Sequence, residues 1–594
     1  EDAPSTVALD VMEEEFEGGI PNARVMINDL TIPQALEYKE KLKQVDGVSE
    51  VTWLDDAADI HVPLNTIDRD TLETYYKDNA ALFTVTIDEN KRIQAVEDIR
   101  ALIGEDNAMT GSAVSTAVAT TSTVKEVMMI SAFAVLFVLI VLLITTPSWI
   151  EPLIVLGGLG VAIAINSGTN LIFGRISFVT NAAGNILQLA VSLDYSVFLI
   201  HRFEECRLEN PDAKSAMVDA LMKSTTSILS SGLTTVIGFL ALVLMQFRIG
   251  PDLGLALAKG VALSLITVFV FMPDLILVTY RLLDKTRHRE LVPSCRGLGK
   301  LVRRLMIPMV CVFLVIFIPA YLASNQNDYY YGASHIFGVQ TQLGADTAEI
   351  EEVFGQNDTY VLMVPNNSTA TEKELSDSLH ELPQVTSIIS YVDAAGAEIP
   401  LEYLDADTLA KLRSPNYSRM VISLDTDYEG KQTFQLVEQI RSIADSYYPG
   451  SYYLAGEGVS TYDLMDTITD DMLKVNALAI GAVFLVLLML MKSISLPVIL
   501  VLSIETAIWL NLAVPYFQGN TVFYISYLII SSVQLGATVD YAILLTDRYR
   551  ECRQTMDKKE SIVETISAVT VSILTSGSVM TVVGFLMGYI SIHG

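Results

Sequence analysis

The sequence Ser-Leu-Asp-Tyr at residues 192–195 returns as Thr-Val-Asp-Tyr at residues 538–541, in both cases inside a long apolar stretch. In both copies an arginine follows the tyrosine at a spacing of seven residues, and then the tripeptide Glu-Cys-Arg, at 205–207 and 551–553. An aspartate in an apolar segment is rare. Finding it twice with the same neighbours predicts an internal repeat.

The similarity continues along the chain at a nearly constant shift of about 345 residues. The matched elements are Gly111–Thr116 with Gly456–Thr461, Pro152 with Pro497, Asn166 with Asn511, Ser227–Gly232 with Ser572–Gly577, and Gly238 with Gly584. Because both copies contain the same elements in the same order and direction, we predict two parallel repeats related by an axis along the membrane normal.

The composition is that of a membrane protein with large polar domains. Of the 594 residues 51% are hydrophobic and the mean hydropathy is +0.42, although the formal net charge is -31. The acidic residues concentrate in two polar blocks, so the charge belongs to soluble domains. All four cysteines lie in or beside apolar segments, which predicts that these domains fold without disulfides.

Apolar stretches of about 20 residues, long enough to cross a bilayer, occur ten times between and after the polar blocks. They are Met128–Thr145, Pro152–Ile172, Val179–Ile200, Thr225–Leu244, Leu255–Tyr280, Leu305–Leu322, Val475–Met491, Leu496–Val514, Val522–Thr546 and Ile562–Ile590. Basic residues cluster between the fifth and sixth stretches, and the other basic loops fall on the same side when the helices alternate in direction. That side is expected to be cytoplasmic, which places both acidic blocks outside a bacterial plasma membrane.

Each polar block alternates short β-like runs with helical periodicity, which predicts a small α/β domain of the ferredoxin-like, split βαβ type. We therefore predict a polytopic α-helical membrane protein in which each of two parallel repeats carries one such porter-type extracytoplasmic domain. The expected order is 1–125 first outer domain, 126–281 first block of five helices, 282–304 basic cytoplasmic linker, 305–323 helix opening the second repeat, 324–471 second outer domain, and 472–594 second block of four helices.

The chain resembles the MMPL family of the resistance-nodulation-division (RND) transporter superfamily. The residues that carry the resemblance are Ser192–Glu205 and Gly536–Tyr541, and the order of domains extends it over essentially the whole chain. Ala190 departs from the family pattern, which has glycine four residues before the aspartate, as Gly536 does in the second copy. The resemblance implies a secondary transporter that exports lipids or other hydrophobic or amphiphilic molecules, driven by the proton-motive force.

The two Asp-Tyr pairs are the candidate proton relay. A carboxyl group costs about 2.5–3.5 kcal/mol at the centre of a membrane helix, so it is expected to face the bundle interior and to have a function. Adjacent residues lie about 100° apart around a helix. Asp194 is therefore expected to meet Tyr541, and Asp540 to meet Tyr195, across the axis of the repeat. The alternative is a polar clamp that only holds the helices together.

Other polar residues in the apolar segments have more open interpretations. Ser227, Ser231, Ser572 and Ser576 form a candidate water wire, although hydroxyls in membrane helices commonly serve packing. Glu505 lies in the middle of a helix and has Gly160 as its counterpart, so a function specific to the second copy is an even alternative to a structural role. Asp274 lies closer to a cytoplasmic end and is interpreted as structural.

The motifs of phosphate-binding loops and zinc proteases are missing from the sequence, and the six histidines are scattered. We therefore predict a protein that is not an enzyme and needs no cofactor and no metal. The expected partners are the membrane, protons and a lipid or amphiphilic substrate, and no nucleic acid is expected. The sequence leaves open whether the protein forms a homo-oligomer. Two rival functions are a patched-like receptor that senses lipid or sterol, and an accessory that uses protons to pull a secreted polypeptide across the membrane.

The repeat also predicts further helices beyond the given sequence. The second copy has a helix, Leu305–Leu322, before its outer domain, and Thr347–Phe354 aligns with Thr6–Phe16 of the first copy. The first copy ends with Leu255–Tyr280, for which the second copy has no counterpart. The expectation is a natural protein of about twelve helices with both termini in the cytoplasm.

Overall fold

A computed structural model describes residues 3–16, 20–58, 60–67, 69–174, 176–289, 291–292, 295–332, 337–356, 358–394 and 406–590. The chain divides into two compact units. One contains the residues up to Ser122 together with Tyr330–Thr467, and the other contains Thr123–Tyr329 together with the residues from Ile468 onward.

The first α/β lobe is an antiparallel sheet of five strands with the order β2-β4-β1-β5, in which the short β3 pairs with β4. This βαββαβ order is the split βαβ arrangement that the sequence predicts. The elements are α1 Pro4–Glu15, β1 Ala23–Ile27, α2 Ile32–Lys43, β2 Val48–Thr52, α3 Leu54–Ala57, α4 Arg69–Tyr75, β3 Tyr76–Lys77, β4 Ala80–Ile87, α5 Arg92–Ile103 and β5 Ala108–Thr110.

Long helices follow the first lobe. They are α6 Ser112–Thr145, α7 Glu151–Thr169, α8 Phe178–Glu209, α9 Ala213–Ala241, α10 Ile249–Lys285 and α11 Arg296–Ser324. Short 3-10 turns extend α7 over Asn170–Phe173 and α9 over Leu242–Leu244.

The second lobe repeats the topology of the first, with an antiparallel sheet in the order β10-β7-β9-β8. The two-residue strand β6 Tyr329–Tyr330 precedes this lobe and is not part of its sheet. The elements of the lobe are α12 Gln342–Phe354, β7 Asp358–Pro365, α13 Thr369–His380, β8 Val385–Ile389, α14 Tyr391–Ala394, α15 Ala406–Leu412, β9 Tyr417–Leu424, α16 Lys431–Tyr447 and β10 Tyr453–Ala455. The chain then forms α17 Glu457–Met491, α18 Ser495–Gln518, β11 Val522–Phe523, α19 Tyr524–Cys552 and α20 Lys558–Ile590.

The two lobes exchange their first helices. Ala8 and Met12 of α1 pack against Val361 and Met363 on the second sheet, whereas Ile350 of α12 packs against Met26 on the first sheet. Polar contacts fix both helices. The Asp346 carboxylate of α12 pairs with Arg100 and accepts the Met109 N–H, and the Asp463 carboxylate pairs with Arg441 and accepts the Ser5 N–H. The two lobes therefore form one intertwined unit, which the sequence did not predict.

The glycines of the repeated motif explain how the chain leaves each sheet. Gly111 follows β5 with a φ of +121°, and a Cβ there would lie 2.5 Å from the Asn22 carbonyl oxygen. Gly456 follows β10, where a Cβ would lie 2.4 Å from Tyr360 Cδ1. A side chain fits neither position without movement of the sheet, so this repeated element marks the start of the first helix that follows each lobe.

The fold class is confirmed. Eight helices among the described residues are long and apolar enough to cross a membrane, and Met129–Thr145 within α6 is a shorter apolar segment. The run Val385–Val392 is interpreted from sequence as one strand, but β8 ends at Ile389 and the chain turns into α14. The predictions also missed β5 and β10, because three-residue strands have too few positions to display an alternating pattern.

Candidate functional site: the polar centre of the helix bundle

The centre of the helix unit contains a hydrogen bond between the two repeats. The phenolic Oη of Tyr195, on α8, donates to Asp540 Oδ2, on α19, at 2.9 Å. Both side chains are buried, with exposed fractions of 2% and 7%. The structure thus contains the crosswise contact that the repeat predicts for this pair, since the two partners come from equivalent helices.

The other crosswise pair is also close. The Asp194 carboxyl interacts with the hydroxyls of Tyr541 and Ser576. Tyr541 Oη and Ser576 Oγ are themselves hydrogen bonded, and Tyr541 lies 3.6 Å from the Met580 sulfur. Asp194 therefore shares its tyrosine with a serine of α20, one of the four serines proposed from the sequence.

The two half-sites differ at one position. Thr235 Oγ1 lies 3.2 Å and 3.3 Å from the two carboxylate oxygens of Asp540 and 3.0 Å from the Gly536 carbonyl oxygen, so its single proton can be donated to either residue. At the shift of 345 residues that aligns Ser227–Gly232 with Ser572–Gly577, its counterpart is Met580, which has no hydroxyl and lies against Tyr541. Asp540 is consequently better supplied with hydrogen-bond donors than Asp194, so the two carboxyls are not chemically equivalent.

A cavity joins the two half-sites. Its empty volume is about 560 Å³ with its open mouth included, and both Asp-Tyr pairs line it. Ser227, Ser231 and Ser572 line it too, together with apolar side chains such as Val197 and Ile543. Ser576 lies behind Tyr541 and is fully buried. A cavity with several polar partners can hold water, as a proton path through these serines requires.

A further acid extends this centre along α19. Ser227 Oγ donates to Asp547 Oδ2 at 3.1 Å. Asp547 lies seven residues after Asp540, so it is two helical turns, about 10 Å, further along the same face. The predictions missed this residue, although an acid at that spacing from a motif aspartate is the signal that would have found it.

At the position in the first repeat that corresponds to Asp547, the structure has a histidine beside a buried glutamate. His201 occupies in α8 the position that Asp547 occupies in α19, and its Nε2 lies 3.7 Å from Glu151 Oε1 of α7. The Glu151 side chain is fully buried. Proton-accepting groups thus follow each motif helix beyond the central cavity, with a carboxyl in one repeat and an imidazole beside a carboxyl in the other.

The repeated arginines and glutamates meet where α8 and α19 end. Arg202 contacts Glu205 at 2.7 Å and Glu551 at 3.5 Å, and Arg548 contacts Glu551 at 2.7 Å and Glu205 at 3.9 Å. The four side chains form a reciprocal network between the two motif helices. The exposed Glu side chains limit its energetic contribution, so its main effect is to set the relative position of the helix ends.

Glu505 does not belong to this centre. It lies on α18 and lines a second cavity together with Asn476, Trp509, Tyr527 and other residues. The described residues contain no cluster of three or more His, Cys, Asp or Glu side chains arranged to hold a metal ion.

The sequence model of the MMPL family matches residues 1–305 and 336–593. A membrane protein of Streptomyces coelicolor is 24% identical over 547 residues, which cover 83% of this chain and 59% of that protein. Membrane protein YdfJ of Bacillus subtilis is 21% identical over 73% of this chain and 60% of its own length. The transport protein MmpL12 of Mycobacterium tuberculosis is 25% identical over 32% of this chain and 17% of its own.

Among solved structures, the hedgehog release protein Disp from the water bear Hypsibius dujardini has a TM-score of 0.62 with 9% identity, over 99% of this chain and 88% of that one. At this identity the similarity concerns the fold alone. The chain spans about 60% of the length of the relatives from Streptomyces coelicolor and Bacillus subtilis named above.

Proposed function

Since the chain belongs to the MMPL family, we propose that it is a secondary transporter that uses the proton-motive force to export lipids or other hydrophobic or amphiphilic molecules. It is a multi-span membrane protein, and relatives such as MmpL12 are named as transport proteins. The proton coupling and the class of cargo are the proposed parts.

The observation that supports proton coupling best is the hydrogen bond from Tyr195 to Asp540 inside the helix unit. A carboxyl group there has no bulk water to stabilise its charge, so its protonation state depends on the hydroxyls that face it. When Asp540 takes up a proton, the hydrogen bonds from Tyr195 and Thr235 are no longer strengthened by its negative charge, and its new O–H group needs an acceptor. Protonation would therefore change the contact between α8 and α19, and thereby the relation between the two repeats.

The energy of this step is adequate for transport. One proton that crosses a membrane potential of 100 mV supplies about 2.3 kcal/mol. Shifting a two-state equilibrium from 1:99 to 99:1 takes about 5.5 kcal/mol. Two or three protons per cycle, taken up by the two aspartates and their neighbours, would therefore suffice to drive a conformational change between two states.

The experiment that tests this function uses proteoliposomes that contain the full chain, a fluorescent lipid and an imposed proton gradient. We expect movement of the lipid across the membrane when the gradient is present and loss of that movement after a protonophore collapses it. Binding of the lipid without gradient-dependent movement would favour a receptor of the patched type. Gradient-dependent movement of a secreted polypeptide in place of lipid would favour the translocation accessory.

A further inference from the structure

A second polar cavity lies in the helix unit, lined by different residues from the cavity between the two Asp-Tyr pairs. Its empty volume, counted with the part that is open to the surroundings, is about 440 Å³. The residues that line it come from the end of α11, from α17, α18 and α19: Ser324, Asn325, Asn476, Ala479, Glu505, Ile508, Trp509, Leu512, Tyr527, Ser531 and Leu535.

Glu505 gives this cavity its chemistry. Its side chain is 8% exposed, and within the described residues it has neither a hydrogen bond nor an ion pair. Its carboxylate is the sole acidic group among the residues lining the cavity, and those residues include no basic side chain. The hydroxyl of Ser531, in the same wall, is also buried and faces Tyr527. A buried carboxylate with no cation beside it is costly, so the arrangement suits a ligand that brings a positive charge.

Aromatic rings form another wall of the same cavity. The Trp509 ring lies 5.3 Å from the ring of Phe317 and 4.9 Å from that of Tyr321, which holds it against α11. Tyr527 Oη accepts a hydrogen bond from Asn476 Nδ2 at 2.6 Å. A buried carboxyl that can ionise when a cation binds beside it, together with the faces of tryptophan and tyrosine, is the chemistry that recognises an ammonium group, through charge and cation–π attraction.

The surroundings of the cavity indicate how such a group would arrive. The cavity reaches the end of α11, a helix whose apolar window is only 6% buried within the described structure. Val315 and Ile318 of α11 are among its exposed apolar residues. An acyl chain can therefore lie along α11 in the bilayer while a charged headgroup enters the cavity from the same side.

The site is confined to the second repeat. At the repeat shift, Gly160 corresponds to Glu505 and Ala164 corresponds to Trp509, so the first repeat has neither the acid nor the large ring. The proton centre has an Asp-Tyr pair in both repeats. A feature present in one repeat fits a ligand that binds on one side of the bundle better than a step of the proton path.

We propose that the cavity around Glu505 binds the ammonium group of a cationic or zwitterionic amphiphile. This inference rests on the proposed transport function for its physiological meaning, because it assigns a headgroup class to the cargo. Binding itself is measured without a gradient, so the two proposals fail independently.

The test is calorimetric titration of the purified full chain in nanodiscs with dodecyltrimethylammonium, below the concentration at which it forms micelles. We expect Glu505→Gln, which keeps the size of the side chain but removes its charge, to weaken binding at least tenfold. Asp274→Asn, at an exposed acid of α10 that lines neither cavity, is the matched control and should bind as the unchanged chain does. Trp509→Leu provides a second variant if Glu505→Gln does not fold, and it should weaken binding several-fold.

Three further titrations identify the chemistry. Dodecyl sulfate has the tail with an anion, tetramethylammonium has the cation without the tail, and sodium chloride supplies a simple cation. We expect all three to bind at least tenfold more weakly than dodecyltrimethylammonium. The proposal would be overturned if Glu505→Gln bound dodecyltrimethylammonium as tightly as the unchanged chain. It would also be overturned if sodium or dodecyl sulfate bound with an affinity close to that of dodecyltrimethylammonium and this binding depended on Glu505. Tetramethylammonium binding as tightly as the long-chain ligand would overturn the assignment to an amphiphile.

Discussion

Tyr195 donates a hydrogen bond to Asp540 at 2.9 Å and so connects the motif tyrosine of one repeat to the motif aspartate of the other. If the two repeats were identical, the two crosswise Asp-Tyr pairs would have the same surroundings. Here the neighbouring position is Thr235 on one side and Met580 on the other. The two carboxyls therefore have different partners, and we expect proton movement to depend on the Thr235 hydroxyl on the Asp540 side.

Thr235→Val tests this dependence. The substitution keeps the shape of the side chain and removes the hydroxyl that faces Asp540. Because a hydrogen bond to a charged group contributes about 1.5–3 kcal/mol, we expect proton flux in proteoliposomes to change by about tenfold or more. The control is Thr234→Val on the same helix. Among the described residues, the Thr234 hydroxyl donates only to the backbone carbonyl oxygens of Ser230 and Ser231. Equal flux in both variants would contradict a role for Thr235.

Asp547→Asn tests whether the proton path continues along α19. Ser227 connects this acid to the wall of the central cavity. The amide keeps a hydrogen-bonding group but cannot carry a proton, so we expect proton flux to fall at least tenfold while the chain stays folded. Asp274→Asn is the matched control, since Asp274 is an exposed acid of another long helix. Unchanged flux in Asp547→Asn would show that protons leave the cavity by another route.

The arginine-glutamate network is expected to set geometry more than stability. Exposed ion pairs typically contribute about 0.2–1 kcal/mol, and Glu551 is 50% exposed. We expect Arg202→Glu to slow transport and Arg202→Glu combined with Glu551→Arg to recover most of it. A double-mutant cycle on the thermal unfolding of the chain should give a coupling below about 1 kcal/mol. A double variant as slow as the single one would contradict the proposed role of the network.

The outer unit contains a buried acid whose ionisation has a consequence for stability. Burial raises the pKa of Asp358 from 3.8 to about 7, against the opposing effect of N–H donation from Gly458 and Thr359. The folded chain therefore binds this proton more tightly than the unfolded chain does. Stability is greatest below about pH 4 as far as this group is concerned, and it falls as the pH rises toward 7.

The measurement is the thermal unfolding midpoint of the full chain between pH 4 and pH 8. Each pKa unit corresponds to about 1.4 kcal/mol, so the contribution of Asp358 to the slope should be several kcal/mol in total. We expect Asp358→Asn to flatten the slope whatever its absolute stability. Asp425→Asn, an exposed acid of the same lobe, should leave the slope unchanged. If the unfolding midpoint of both variants depended on pH in the same way, Asp358 would not be the group responsible.

Much of this organisation could be predicted from the sequence, for identifiable reasons. Apolar length is a strong signal for membrane helices, and the match of Gly111 with Gly456 is part of the evidence for the repeat. The pairing of Asp540 with Tyr195 follows from the repeat and the 100° step of a helix. The functional roles of the relay residues and of the serines Ser227, Ser231, Ser572 and Ser576 stay predictions.

Other features depend on tertiary packing and left little trace in the sequence. The exchange of α1 and α12 between the lobes needs contacts over hundreds of residues, such as that between Ser5 and Asp463. Thr235 resembles its neighbour Thr234 in sequence, and only the approach of α19 distinguishes them. The unpartnered state of Glu505 likewise depends on which side chains surround it, not on its position in an apolar segment.

The central claim is that Asp194 and Asp540 carry the protons that drive transport. The direct measurement is proton influx, followed with a pH-sensitive dye trapped in proteoliposomes during gradient-driven lipid movement, for Asp194→Asn, Asp540→Asn and the control Asp274→Asn. We predict that both relay variants fold normally and lose proton influx and lipid movement together, while the control retains both. Normal gradient-driven lipid movement in either relay variant would contradict the claim for that aspartate.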